Sequence, residues 1–317
     1  KLASDGTLEE EEMDMLPDLF HEDLHVLKRK YSRKLGRVVE ATDLRRLTGV
    51  DGRLSKISLT DLDKTIKDTA RGHAPGKSGM TPDLISMSIR PWRGWLVKLL
   101  NVISLTRINP LGWRHDLVHL VHKGGTDRTL SNYRPLKLLD VILKIYMRIH
   151  TQRMQRDWSD LDLLEETNAG FQTRRTTANA ILPLRLAVEQ CISRKSELAL
   201  ISDDLKWAFD TVPRSVIEMA LRRVGVCEDL IELARDRDDW ALQDTITANG
   251  RASEFKKEGD CGYIFRQAYG TGQGSSEGPP FWLVVADIVI AVAMKWQESG
   301  VRMEAGAFGE KRCESTW

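Results

Sequence analysis

Residues 281–294, FWLVVADIVIAVAM, are the most apolar run in the chain and constrain its fold more than any other stretch. Crossing a bilayer takes about 20 apolar residues. This run is shorter and Asp287 interrupts it, so it reads as a helix buried in a protein core. A helix apolar on all sides needs neighbours on all sides. The chain's 317 residues, 41% hydrophobic and 29% charged, are enough for a substantial core and two subdomains.

The net charge of +1 conceals an asymmetry. Glu9–Glu12, Asp14, Asp18, Glu22 and Asp23 make the start acidic, and Lys28, Arg29, Lys30, Arg33, Lys34, Arg37, Arg45 and Arg46 make the next stretch basic. That order permits a polyanion partner and equally suits a solvated helix face. Residues 1–26 read as an acidic leader, with 1–13 disordered. A helical pattern, with Leu16, Leu19, Phe20, Leu24 and Leu27 at spacings of three and four, is expected from Asp14 to about Val38. Cys191, Cys227, Cys261 and Cys313 lack zinc-type spacing and read as reduced thiols of an intracellular protein, in nucleus or cytoplasm. No secretory signal opens the chain.

Thr60, with Asp63 three residues on, reads as the capping box of a helix from Asp61. HAPGKSGMTPDLI (73–85) is a loop that brings backbone N–H groups and Lys77 near a phosphate without the spacing of a P-loop. WRHDLVHLVHKGG (113–125) reads as a strand ending in a glycine hairpin turn. In NYRPL (132–136), Pro135 holds Arg134 extended. The next helix buries Leu139, Ile142, Leu143, Tyr146 and Ile149, with Lys144, Arg148 and Arg153 mostly outside that stripe. Lys123 and Arg134, near one hairpin tip, suit a triphosphate, Arg as a fork and Lys as a point charge, and equally suit ordinary surface positions.

LALISDDLKWAFD (198–210) opens as a strand with alternating faces. Asp204 follows Leu200 and Ser202 in phase, while Asp203 faces the other way. A carboxylate at a strand's end, with Phe209 five residues on, suits Mg²⁺ beside a flat substrate surface, because Mg²⁺ takes one or two carboxylates plus substrate phosphates. A solvated strand end is the competing reading. Helices at 214–224 and 228–240 follow, then a hairpin at 245–255 turning at Asn249-Gly250. In YGTGQGSSEGPPFW (269–282) the glycines let backbone approach a ligand, and Gln273 offers both donor and acceptor.

Together these segments resemble the reverse transcriptase domain of LINE-type (non-LTR) retrotransposons. HAPGKSGMTPDLI is similar to the family's AP-G-x-x-G-x-x-P loop. WRHDLVHLVHKGG with LSNYRPLKLLDVILKIYMRI looks like its W-x-x-a-x-v-x-x-l-x-K and NYRPI-x-L…K segment. NAGFQTRRTTANAIL (168–182) is similar to Q-x-GF-R-x-x-R-s-T-x-x-A-I, DLKWAFDTV to D-x-x-K-A-F-D-x-V, and TANGRASEF with GTGQGS to V-x-V-N-G-x-x-S-x-x-F and G-v-R-Q-G-S. The five elements keep the family's order across roughly residues 70–290.

The resemblance implies an α/β (α+β) right-hand polymerase: helix-rich fingers over 27–195, a partial palm over 196–317 with a mixed or antiparallel sheet, and no thumb. Strand 198–204 is expected beside the 245–257 hairpin, with helices 214–224 and 280–298 on one face. By the same resemblance, Asp204 is catalytic and, with the Leu205 carbonyl, a ligand of Mg²⁺ or Mn²⁺. Phe209 packs under the deoxyribose, Lys123 and Arg134 contact the incoming triphosphate, and Gln273 and Gly274 support the nascent base pair. The implied chemistry is two-metal nucleotidyl transfer on an RNA template, DNA primer and dNTP, with no membrane partner.

The departures are specific. Gly272 stands where Arg is expected, Gln172 replaces the Arg after Gly170-Phe171, and Ser276-Glu277-Gly278-Pro279 replaces Pro-Leu-Ser-Pro. Residues 262–269 look inserted. The family's aromatic-Ala-Asp-Asp motif has no match, and Asp287 is the only aspartate after Gly274. Two readings follow: an RNA-directed DNA polymerase domain, incomplete in this chain, or a non-catalytic nucleic-acid-binding remnant of one.

Overall fold

The structure, a computed structural model, describes residues 29–126, 132–172, 175–200, 202, 208–247, 250–251, 264–265, 269–271, 273–295, 302–303 and 315–316. Its elements in chain order are β1 (Tyr31–Ser32), β2 (Arg37–Val38), α1 (Leu59–Lys67), α2 (Pro82–Ser86), α3 (Arg90–Thr106), β3 (His115–His122), β4 (Tyr133–Leu138), α4 (Val141–Asp160) and α5 (Thr177–Arg194). Then come α6 (Ala208–Thr211), α7 (Arg214–Arg223), α8 (Glu228–Asp239), β5 (Leu242–Thr247), β6 (Gly250–Arg251), β7 (Ile264–Phe265), α9 (Gly278–Lys295), β8 (Arg302–Met303) and β9 (Ser315–Thr316).

The described part of the expected 14–38 helix is a hairpin instead. Tyr31 pairs with Val38 across a turn in which Gly36 adopts φ +66° and donates its N–H to the Ser32 carbonyl. A left-handed glycine ends a helix rather than continuing it. The start of α1 also differs from expectation. Ser58 is its cap, two residues before Thr60: its Oγ accepts the Asp61 N–H at 3.1 Å, and Asp61 accepts the Ser58 N–H at 2.9 Å. Asp63, the alternative box partner, pairs with Arg93 at 2.8 Å.

The main sheet is mixed, with order β4-β3-β5-β6 and β7 also on β5. β3 and β4 form the expected antiparallel hairpin, Leu117 opposite Leu138 and His122 opposite Tyr133. β5 runs parallel to β3, with His115 opposite Leu242. Thr247 opposes Gly250, so Gly250 lies in the strand, one residue past the expected turn position.

The described residues of the expected strand at 198–204 do not pair in this sheet. Residues 198–200 and 202 are irregular, and Leu200 is exposed; the remainder of the stretch lies outside the described residues. A strand needs a free ladder. Beside β5 both sides are taken, by β3 on one and by β6 and β7 on the other.

One hydrophobic core joins the helices. α4 threads it with Leu143, Ile145, Tyr146, Ile149, Met154 and Trp158 buried. α9 adds Phe281, Leu283, Val284, Val285 and Ile288 and packs on α7, whose Ile217, Ala220 and Leu221 belong to the same core. Val289 is exposed, so α9 is buried through its first half and not on every side. No helix among the described residues is long and apolar enough to cross a membrane.

Candidate functional site

Two glycine loops far apart in sequence press on Lys137 and Leu139 at the exit of β4. β4 is an edge strand and carries Pro135, which has no N–H to donate. On its outer side the Lys137 N–H donates to the Gln273 carbonyl at 2.7 Å. Gly274, at φ +110°, lies so close that a Cβ there would sit 2.5 Å from the Lys137 carbonyl oxygen. A Cβ on Gly76, in the 73–79 loop, would sit 2.6 Å from the Leu139 carbonyl carbon. Neither contact tolerates any other residue without backbone movement.

The same glycine loop reaches the turn after residue 207. The Thr271 N–H donates to the Phe209 carbonyl at 3.0 Å, and the Gly270 N–H to the Val212 carbonyl at 2.8 Å. The Phe209 ring lies between Phe171 and Trp282, with centroids 6.1 and 5.9 Å away. Loops 73–79, 168–172 and 269–276, strand β4 and the 209–212 turn are thus joined by direct contacts.

Between the two glycine loops, the 69–74 segment after α1, Pro82 of α2, β4 and α4 wall a cleft of about 340 Å³. Lys144 and Arg148 reach it from one face of α4, at the i, i+4 spacing that aligns side chains. His73, Leu136, Leu138 and Ser276 complete much of the lining, and no carboxylate is among the lining residues. The Ser276 hydroxyl donates to the Lys144 carbonyl at 3.2 Å, tying the glycine loop to α4. Burial lowers the Lys144 ammonium's pKa, against the pull of Glu277, Asp116 and Asp140. A partly dehydrated cationic cleft of this kind favours a phosphate, which restores the charge balance that water no longer supplies.

Behind the cleft sits a buried ionic cluster. Arg237 of α8 forks onto both oxygens of Asp116 on β3 at 3.1 and 3.0 Å, and meets Asp238 at 2.7 Å and Glu277 at 3.5 Å. The Lys137 Nζ stands 3.5 Å from Asp116. Burial raises the Glu277 pKa, with Arg237 opposing. Glu277 Oε2 and Arg237 Nε are buried without a hydrogen-bond partner among the described residues.

Comparison with known proteins agrees with this assembly of motifs. No protein-family model matches the chain. Over 119 residues, 37% of its length, it is 24% identical to a protein of Drosophila melanogaster named probable RNA-directed DNA polymerase from transposon BS. Over 158 residues, 49% of its length, it is 25% identical to the retrovirus-related Pol polyprotein from type-1 retrotransposable element R2 of Popillia japonica. The chain resembles LINE-type reverse transcriptase domains. The matches span 13% and 20% of those two relatives.

Of the residues assigned from the reverse transcriptase resemblance, Gln273 and Gly274 meet β4 at the cleft, and Phe209 sits half-buried beside their loop. Arg134 is exposed opposite Val121. Alternation along β4 puts it on the face that carries the cleft-lining Leu136 and Leu138. Lys123 is exposed just beyond β3, its N–H donating to the Asn132 carbonyl at 2.7 Å. Asp204 and Leu205 lie outside the described residues. Among the described residues no group of three or more His, Cys, Asp or Glu is placed to hold a metal, so those residues alone do not build the site the resemblance implies.

The helical pattern places Lys144 and Arg148 outside the buried stripe without assigning them to a site. Their i, i+4 spacing is the signal the sequence carries. Nothing in the segments around Arg237 and Glu277 shows that the two meet, 40 residues apart.

Proposed function

We propose that this chain provides fingers-like (27–195) and palm-like (196–317) parts of an RNA-directed DNA polymerase domain of a retroelement. The observation that carries this reading is a cationic cleft lined from three of the family-like segments, with the 168–172 and 209–212 segments in contact with each other and with the glycine loop that borders it. In this reading Lys144 and Arg148 hold a nucleic-acid or nucleotide phosphate, and Arg134 and Lys123 extend the positive surface along the hairpin. Gln273–Gly274 and the 73–79 loop set the width of the cleft. Phe209, braced by Phe171 and Trp282, presents an aromatic edge beside a sugar. Mg²⁺ or Mn²⁺ at Asp204 and the Leu205 carbonyl would supply the Lewis acid of nucleotidyl transfer.

A second reading is favoured by the irregular, exposed course of residues 198–200: a nucleic-acid-binding relative that does not polymerise. The sequence offers no counterpart to the aromatic-Ala-Asp-Asp motif, and the purified chain is expected to bind primed RNA without extending it. Primer extension with dNTPs and Mg²⁺ or Mn²⁺ separates the readings. Extension that disappears with Asp204→Asn establishes the polymerase and means that a further metal ligand lies elsewhere in the chain. Binding without extension, weakened by Lys144→Gln/Arg148→Gln, supports the second. Each phosphate left without its cation should reduce the slope of log K against log salt by about 0.7 to 0.9. Binding unchanged by that double substitution would remove the cleft from both.

A further inference from the structure

α3 is apolar on two sides, and the body of the protein covers one of them. Leu96, Leu100 and Ile103 are buried in the core. On the outer face Trp95, Leu99, Val102 and Leu105 follow one another at spacings of four, three and three, and all are exposed, Trp95 at 70% and Leu105 at 68%. Ile108 and Leu111 carry the exposed apolar surface past the helix. A pocket of about 280 Å³ adjoins it, lined in part by Val102 and Leu105, the cations Arg53 and Lys56 and the carboxylates of Asp51 and Asp229. Scattered exposed apolar residues are ordinary; six in one contiguous run mark a surface that something covers.

Charge narrows the choice. Residues 90–107 include Arg90, Arg93, Lys98 and Arg107 and no acidic residue. Arg93 and Arg107 are paired, with Asp63 and Glu232. Arg90 and Lys98 are exposed, the Lys98 ammonium 4.4 Å over the Trp95 ring, at the edge of the apolar stripe. The complement is an amphipathic segment with an apolar stripe and acidic flanks.

The chain contains one. Residues 14–27, DMLPDLFHEDLHVL, repeat Leu16, Leu19, Phe20, Leu24 and Leu27 at helical spacing, with Asp14, Asp18, Glu22 and Asp23 between them. They lie outside the described residues and lead into Lys30, which a chain of contacts links to the end of α3. The Lys30 N–H donates to the Arg223 carbonyl at 2.7 Å. Arg222 pairs with Glu228 at 2.7 Å, and the adjacent Asp229 stands 3.7 Å from Arg107, the C-terminal cap of α3. Fourteen helical residues span about 21 Å, against about 25 Å for the 17 residues of α3.

We infer that residues 14–27 of the same chain dock on the Trp95–Leu105 face of α3, with Lys98 and Arg90 against their carboxylates. This surface is separate from the cleft, and the inference does not depend on polymerase activity. Zero-length carbodiimide cross-linking of the full chain, read by peptide mass spectrometry on an equal mixture of unlabelled and ¹⁵N-labelled protein, tests it. The expected product joins Lys98 to Asp18, Glu22 or Asp23 within single molecules, without mixed-label pairs. In Leu19→Ser/Phe20→Ser, which keeps every carboxylate, its yield should fall about tenfold or more, because two buried apolar side chains are removed. Mixed-label pairs would assign the face to a second copy and overturn the inference. So would absence of any Lys98 cross-link to this segment, or a yield indifferent to the double substitution.

Discussion

Two buried ionic clusters in this protein are built from the same side-chain types and are finished differently. Asp287, in the apolar run of α9, is fully buried and completely satisfied. Its Oδ2 accepts from Arg223 at 2.6 Å and Lys30 at 2.9 Å, and its Oδ1 accepts from the Glu165 N–H at 2.6 Å. The cluster behind the cleft gathers three carboxylates, Asp116, Asp238 and Glu277, around Arg237 and Lys137, and leaves Glu277 Oε2 and Arg237 Nε unpaired among the described residues. A buried carboxylate is tolerable when cations and N–H groups replace its lost water. Asp287 meets that condition and staples four separate segments: residue 30, the 165 loop, α7 and α9. The Arg237 cluster meets it in part, and it adjoins the loop that borders the cleft. One cluster serves the frame, and the other keeps an imperfectly paired arrangement beside the site.

Removing a partner should separate the two most clearly. Asp287→Asn removes the carboxylate that Arg223 and Lys30 share in the core and leaves Lys30 only the partly exposed Glu165 at 2.8 Å; it should cost about 3–5 kcal/mol in chemical denaturation. A loss under about 1 kcal/mol would mean that the staple is not structural.

The next effect tests how tightly the glycine loop is seated in front of the second cluster. Gly274→Ala places a methyl against the Lys137 carbonyl at a positive φ, and should cost about 2–3 kcal/mol. It should also weaken binding to the cleft, whereas Gly36→Ala, also at positive φ but in open space and away from the cleft, should leave cleft binding intact.

His150 isolates burial from pairing. It is fully buried, its ring edge-on to Tyr146, and neither ring nitrogen has a hydrogen-bond partner among the described residues. Burial, with Arg153 adding to it, lowers the imidazole from 6.5 to about 3. A lowered base takes up its proton in the unfolded state first. Its stabilisation is therefore complete above pH 6.5 and is lost as pH falls towards about 3, by about 2 kcal/mol between pH 7 and 5. His150→Leu should flatten that part of the stability–pH profile measured by urea denaturation.

The smallest effect should come from Glu277→Gln. It removes a charge that burial already disfavours and a pairing of 3.5 Å, while Arg237 keeps Asp116 and Asp238. The change in stability should stay within about 1 kcal/mol in either direction. A loss as large as that of Asp287→Asn would erase the distinction between the two clusters.

Much of this is legible in the residues themselves, because the signals are local. The β3–β4 hairpin, the α4 stripe and the α7 and α8 spans follow from spacing and turn glycines, which act within a few residues. The order of five motifs points to LINE-type reverse transcriptases, and the named relatives agree. Three local readings fail where neighbours decide. Where a helix is expected through Val38, residues 31–38 form a hairpin turning at Gly36, and Ser58 displaces Thr60 as the α1 cap while Asp63 is engaged by Arg93. The alternation at 198–204 describes a strand, but the described residues 198–200 and 202 are irregular, and β5, the expected neighbour, already has partners on both sides.

What the sequence determined by itself was therefore composition, element type and the motif order, including the insertion of Asp287 into an apolar helix. The tertiary structure alone decided which charges meet. Asp287 with Arg223 and Lys30, Arg237 with Asp116 and Glu277, and Lys144 with Arg148 on a cleft closed by Gly76 and Gly274 join residues separated by as many as 257 positions. The physical reason is range. Helix and turn preferences are fixed by atoms a few bonds away, whereas the stability of a buried charge depends on whichever side chains the fold brings within about 4 Å of it.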